Sequence, residues 1–162
     1  MKILKEYGPY LTILLVVVLL KIYIMTPIAV NGDSMYPTLK NNDIMLLDKS
    51  NKKINRFDIV VIRYGDKYLI KRVIGLPGET VKFEDNVLYI NGKEYEQDFL
   101  EEDVVTKDFD LKGKIPKDFY FVMGDNRGVS LDSRMLGSFS IDKIDGKANF
   151  TIFPFNRLGN KK

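Results

Sequence analysis

The 162-residue chain has no cysteine, no histidine and no tryptophan. Without cysteine there can be no disulfide, no thiol nucleophile and no cysteine-bound zinc, and the redox compartment stays open. Without histidine, neither a Ser-His-Asp nor a Cys-His site can be assembled within the chain. Any catalytic base must then be lysine, aspartate, glutamate, tyrosine or a bound water. A block of one charge sign is also missing. The 25 Lys and Arg stand against 22 Asp and Glu, for a net +3. With no basic tract interleaved with aromatics, composition points to no nucleic-acid partner.

What the chain does have is one long apolar run. Residues 10–30, YLTILLVVVLLKIYIMTPIAV, carry a single charge, Lys21. A spanning helix needs roughly 20 mainly apolar residues, and Leu11 to Ala29 supply them. Lys21 stands toward the far end, where its stem could snorkel to the interface, and Tyr7, Tyr10 and Tyr23 fall near the two interfaces. Lys2 and Lys5 precede the run, and no Lys or Arg occurs from Ile22 to Leu39. The positive-inside bias therefore puts the N-terminus in the cytoplasm and residues 31–162 outside. The rival reading is a cleaved signal peptide with Leu11 to Leu20 as its apolar core. Ile22-Tyr23-Ile24-Met25 prolongs the stretch and favours a retained anchor.

The division expected is an anchor with its cytoplasmic tip, 1–29, and an exported domain, 30–162, with a surface insertion around 91–115. Ile44–Leu47, Ile59–Ile62, Tyr68–Ile70 with Val73-Ile74, Val87–Ile90 and Phe119–Met123 read as strands. Turn sequences such as Leu-Pro-Gly-Glu and Ile-Asn-Gly-Lys punctuate them. The exported domain should be mainly β. Residues 94–110, EYEQDFLEEDVVTKDFD, read as a solvated insertion, and the tail from Asn156 to Lys162 as loose at its end.

A lysine acts as a general base only when neutral, so the candidate is a lysine in an apolar strand, where burial lowers its pKa. Lys71, in YLIKRVIGLPGE, shares its strand face with Leu69 and Val73. Arg72 shares the other face with Ile70 and Ile74, so the pattern does not say which face is buried, and a surface or interfacial Lys71 is the simpler reading. Ser34, in NGDSMYPTLK, follows the apolar run directly, and its bland reading is a connector built of turn formers. Ser50-Asn51-Lys52-Lys53 has S-x-x-K spacing but lies in a polar turn without partner motifs. FVMGDNRGVSLDSRMLG, residues 121–137, offers Asp125 with Arg127 and Asp132 with Arg134 beside Ser130 and Ser133. Such pairs would pin a loop through charge-assisted hydrogen bonds.

Taken in order, NGDSMYPTL, RFDIVVIR, YLIKRVIGLPGE and MGDNRGVSLDSR behind one apolar segment resemble the type I signal peptidases. IDGKANFTIFPFNRLG is similar to that family's C-terminal strand region. The resemblance runs from Pro27 to Gly159, and the single anchor resembles the Gram-positive form. It implies a serine endopeptidase with a Ser/Lys dyad on an antiparallel, barrel-like β fold with one N-terminal transmembrane helix. Such a protein would work at the outer face of the cytoplasmic membrane, without cofactor or metal, and a monomer is expected. Ser34 matches the nucleophile, Lys71 the general base, and Ser130 the serine that orients the lysine. Asp132 and Arg134 match a supporting ion pair, while Asp125, Asn126 and Arg127 match the loop that shapes the site. Ile28, Val30, Met35, Leu39, Leu69 and Ile70 match the shallow pockets for side chains one and three residues before the cut, although core packing is their ordinary role. The partners implied are membrane lipid and exported preproteins, cut after an A-x-A-like motif. Some relatives use a serine hydroxyl two positions before the nucleophile as an oxyanion donor, where Gly32 stands here. Phe57 likewise stands where glycine is frequent. The alternative from another class is a catalytically inactive, membrane-tethered β-domain for binding or assembly.

Overall fold

The computed structural model describes residues 2–50 and 53–161, and the side chains of residues 2–6 and 19–24 fall outside the described set. Short apolar runs become strands wherever turn residues can reverse the chain. Asp85-Asn86 and Asn91-Gly92 both take positive φ at the two central positions, which suits a two-residue hairpin turn. In chain order the elements are α1 Lys2–Ile24, β1 Met25–Ala29, β2 Ile44–Asp48, β3 Ile59–Tyr64, β4 Lys67–Gly75, β5 Val81–Glu84 and β6 Val87–Ile90. β7 Lys93–Tyr95, β8 Phe109–Asp110, β9 Phe119–Met123, α2 Ser133–Leu136, β10 Phe139–Ser140, β11 Ile144–Phe153 and β12 Gly159–Asn160 follow. The main sheet runs β1-β2-β11-β3-β4-β9-β10, with β12 on β11, and a second sheet runs β7-β6-β5-β8. Every pairing is antiparallel. The expected mainly β, antiparallel class is what forms.

β3 and β4 lie at the centre because both of their faces are covered. Ile59 and Val61 pack with Met35, Leu39, Met45 and Ile70 on one side. Val60 and Ile62 pack with Val73, Val122 and Phe139 on the other. The second sheet adds its own cluster, in which Phe83, Leu88 and Ile90 meet Ile74, Ile115 and Phe121. Each such aliphatic or aromatic side chain contributes roughly 1.5–3 kcal/mol on burial.

The first boundary differs from expectation. The helix stops at Ile24, and Met25–Ala29 forms a strand paired with β2 in the register Met25↔Asp48 to Ala29↔Ile44. Pro27 has no N–H for a helix and biases the residue before it toward extended backbone. Thr26-Pro27-Ile28-Ala29 therefore belongs to the β domain and not to the apolar segment before it. Among the described residues no helix is long and apolar enough to cross a membrane. The side chains of Lys2, Lys5, Lys21 and Tyr23 lie outside the described set, while Tyr7 and Tyr10 are exposed. The tail is also not loose. β12 pairs with β11, and Lys161 N–H donates to Asn149 O at 2.6 Å.

Candidate active site

Ser34 sits in a loop tied at both ends. Val30 N–H donates to Asp43 O at 2.8 Å, and Asn42 N–H donates back to Val30 O at 2.9 Å. Gly32 holds φ at +91°, a region that costs glycine little, and its N–H donates to Asn41 Oδ1 at 2.9 Å. Arg157 clamps the far side of the loop, with a 3.0 Å contact to Asp43 Oδ2 and a 2.9 Å bond to Thr38 O. From the opposite side, Asn126 N–H donates to Ser34 O at 3.0 Å.

β4 brings Lys71 to this loop. Lys71 is only 2% exposed, and its Nζ is hydrogen-bonded to Ser34 Oγ at 2.6 Å. The surface lysine suggested by the bare pattern is therefore not what forms, because both faces of β4 are covered from Ile70 onward. Burial lowers the ammonium pKa from 10.5 to about 8, against the opposing pull of Asp132 and then Asp125. Loss of solvation penalises the charged form, and in this case it outweighs two nearby carboxylates.

Those carboxylates are held by arginines. Asp132 accepts from Arg134 Nε and Nη2, both at 2.9 Å, and from Gly124 N–H at 3.0 Å. Burial pushes the Asp132 carboxyl up, but the hydrogen bonds from Arg134 and Gly124, with the Ser130 hydroxyl close by, outweigh it and hold it below the usual range. Asp132 also caps α2 by accepting from Arg134 N–H. Asp125 does not pair with Arg127. It forms a fully buried two-bond fork with Arg72, Nε to Oδ1 at 2.9 Å and Nη2 to Oδ2 at 2.7 Å. β4 and β9 are neighbours, with Arg72 opposite Met123, so Arg72 reaches the residue just past the strand end. Arg127 turns away and donates to Gly124 O, Thr106 Oγ1 and Gln97 Oε1. Its burial lowers the guanidinium pKa to about 10.

Ser130 is 3% exposed, and among the described residues its Oγ makes no well-formed hydrogen bond. Gly124 explains how Ser130 and Ser34 come together. A Cβ at Gly124 would collide with both the Ser130 hydroxyl and the Ser34 carbonyl, so only glycine lets β9 end this close to the Ser34 loop.

The signal peptidase family, peptidase S26, matches residues 4–153. Signal peptidase I S of Bacillus subtilis strain 168 is 40% identical, covering 94% of this chain and 91% of its own length. A signal peptidase I of Streptococcus pneumoniae is 33% identical, covering 96% of each. The crystal structure of a signal peptidase I from Enterococcus faecalis V583 superposes with a TM-score of 0.55 at 38% identity, covering 60% of this chain and 98% of that one. The chain belongs to the signal peptidase family.

In this member of the signal peptidase family a cavity of about 650 Å³ opens at Ser34 and Lys71. Ile28, Val30, Met35, Leu69 and Ile70 line it. Leu39 does not. It is fully buried in the core beneath Met35 and Met45. Two residues that sequence reasoning passed over hold the site together. In the sequence pattern Arg72 marks only an ambiguous face, although KR between apolar residues on a nine-residue strand is also the signature of a charge buried with a partner. Arg157 lies in the stretch expected to be loose, and only its place beside the C-terminal strand region hinted at a role. The S-x-x-K alternative has no such setting. Asn51 and Lys52 lie outside the described residues, and Ser50 bonds Asp48 Oδ1.

Proposed function

We propose that this chain is a membrane-anchored serine endopeptidase that removes signal peptides from exported preproteins with a Ser34/Lys71 dyad. The observation that carries the reading is the 2.6 Å contact between Lys71 Nζ and Ser34 Oγ at a site where the amine is buried. With its pKa at about 8, a useful fraction of Lys71 is neutral near neutral pH. Neutral Nζ accepts the Ser34 proton as Oγ attacks the scissile carbonyl carbon. The resulting ammonium then protonates the leaving amine as the C–N bond breaks, leaving an ester on Ser34. Water, deprotonated by the same amine, hydrolyses that ester and restores the serine. The oxyanion needs a donor at each step. Ser34 N–H suits the role, since among the described residues it donates to no acceptor. Gly32 supplies no hydroxyl. Its place at φ +91° with open space above it instead lets substrate backbone approach closely.

The substrate path follows from strand pairing. Among the described residues β1 pairs only with β2, and residues 67–71 of β4 pair only with β3, so two free edges border the cavity. An extended peptide can add to such edges through main-chain hydrogen bonds, with alternate side chains entering the cavity. The apolar lining from Ile28, Val30, Met35, Leu69 and Ile70 suits small residues one and three positions before the cut. The anchor reading rests on α1, whose 23 residues span roughly 35 Å. From Tyr10 to Val18 nearly every apolar side chain of α1 is exposed on all sides, a surface that lipid would cover. An uncleaved anchor with residues 31–162 outside would place Ser34 at the membrane surface, where a signal peptide presents its cleavage site. Cleavage of a preprotein by the wild type tests the reading, with Ser34→Ala and Lys71→Ala each expected to reduce turnover by about 10³-fold or more. Substantial residual activity in either variant refutes the dyad.

A further inference from the structure

A polypeptide substrate continues past the bond that is cut. We propose that the residues following the cleaved bond bind a second cavity on the far side of Ser34, whose acidic wall makes the enzyme discriminate against acidic residues there. The inference rests on the endopeptidase reading above and extends it to the leaving side of the substrate.

Direction is set by the fold. β1 follows α1 without a linker, and Pro27 to Val30 line the first cavity. A signal peptide whose apolar segment lies beside α1 therefore enters along that cavity, and the chain beyond the cut leaves on the opposite side. Beside the Ser34 loop, and sharing no lining residue with the first cavity, lies one of about 320 Å³ lined by Tyr36, Pro37, Glu101, Asp103, Val105 and Asn126, among others. Tyr36 and Pro37 come two and three residues after the nucleophile, and Asn126 N–H holds the Ser34 carbonyl. At about 3.3 Å per extended residue, the first three residues after the cut span about 10 Å, the stretch assigned to this cavity.

The wall is part of the acid-rich segment that the sequence suggested was a solvated insertion, and it is fixed in place. Arg127 holds it from inside, donating to Thr106 Oγ1 at 2.7 Å and Gln97 Oε1 at 2.6 Å. Asn86 Oδ1 accepts from Thr106 N–H at 2.7 Å, and Asn86 Nδ2 donates to Val104 O at 3.2 Å. The turn at 101–105 is thereby pinned at its base while Glu101 and Asp103 stay exposed, and among the described residues neither carboxylate has an ionic or hydrogen-bonding partner. Cations on this side include Lys40, whose Nζ sits 5.6 Å from the Tyr36 ring centroid, Arg127, buried with its donors already engaged, and Arg157, which donates to Pro37 O at 3.5 Å and is ion-paired with Asp43. Exposed Val105 and Tyr36 offer apolar contact to the same stretch of substrate.

The test uses the full-length chain in phospholipid vesicles and one preprotein in three versions, with Ser, Lys or Glu at the second and third residues after the cut. The Lys version should be cut with about threefold higher kcat/KM than the Ser version, and the Glu version about threefold lower. Raising salt to about 0.5 M should shrink both differences. Glu101→Lys/Asp103→Lys should reverse the order among the three versions, and Glu101→Gln/Asp103→Asn should flatten it. Equal cutting of all three versions by the wild type, or an unchanged order in the charge-reversed variant, overturns this inference alone. A wild type that cuts none of them overturns the endopeptidase reading, and this inference with it.

Discussion

Replacing Lys71 by methionine keeps the length of the side chain and removes only the amine, so it isolates the cost of burying that amine. In the fold the ammonium pKa is about 8, against 10.5 for an ordinary lysine. At about 1.4 kcal/mol per unit, keeping Lys71 charged in the fold costs about 3 kcal/mol at pH 7, where both folded and unfolded chains hold the proton. Between pH 8 and 10.5 the unfolded chain binds more protons than the folded one, so wild-type stability rises with pH across that window. By pH 9.5 the two titration curves leave a penalty of about 1 kcal/mol. Lys71→Met has no proton to lose and should show no such rise. The stability advantage of Lys71→Met over wild type should therefore shrink by about 2 kcal/mol between pH 7 and pH 9.5. Denaturant unfolding of both full-length proteins at the two pH values, followed by far-ultraviolet circular dichroism, measures it. All other titrating groups cancel in the difference, as does the pH-independent loss of the amine at Ser34 Oγ. A difference that stays constant, or grows with pH, refutes the claim that burial lowers the pKa of Lys71.

Activity should report the same group. Asp132→Asn removes the charge that most raises the Lys71 pKa, so the acid limb of kcat/KM, expected near pH 8 in the wild type, should move to lower pH. A limb that moves up or stays put contradicts the electrostatic account, whatever happens to the maximal rate. Gly124→Ala should cost about 1–3 kcal/mol of stability by overpacking. It should also lower kcat/KM about 10- to 100-fold, because the added methyl pushes on both the Ser34 carbonyl and the Ser130 hydroxyl. Normal turnover in that variant would show that the close approach is dispensable.

The strands at 44–47, 59–62 and 119–123 were legible because their apolar runs are short and bounded by turn formers. β1 was not, since MTPIA continues the hydrophobicity of the helix before it and only Pro27 marks the change. The burial of Lys71 was not legible either. A Lys-Arg pair puts one charge on each face of a strand, so local pattern alone cannot say that both faces are covered. What covers the Arg72 face is partly Phe99, whose ring centroid lies 4.0 Å from the guanidinium carbon, and Phe57, whose ring is tilted 56° against Phe99 with centroids 5.0 Å apart. Arg72 and Asp125 are 53 residues apart, beyond the reach of any spacing rule. Asp125 and Arg127 are close in sequence but turn to different partners, and a local pairing of signs misassigned both. Ser34 and Lys71 are 37 residues apart and were joined by resemblance to a family, where composition alone could say only that some lysine or acid had to act.

The two buried aspartates set an electrostatic problem for a lysine base. Unpaired, two carboxylates beside Lys71 would hold its proton and remove the neutral amine that the chemistry needs. Each is instead forked by an arginine, Asp125 by Arg72 and Asp132 by Arg134, so the four side chains sum to zero charge and loss of solvation decides the lysine's state. Buried ion pairs of this kind add little net stability, because desolvation offsets most of their attraction. Their placement makes better sense through the site. Arg72 is the residue next to Lys71 on β4, and Asp125 follows the glycine that lets β9 approach the Ser34 loop. The same fork that discharges the carboxylate also ties the strand carrying Lys71 to the segment whose Asn126 N–H holds the Ser34 carbonyl. The charge balance around Lys71 and its tie to the Ser34 loop thus run through the same two bonds.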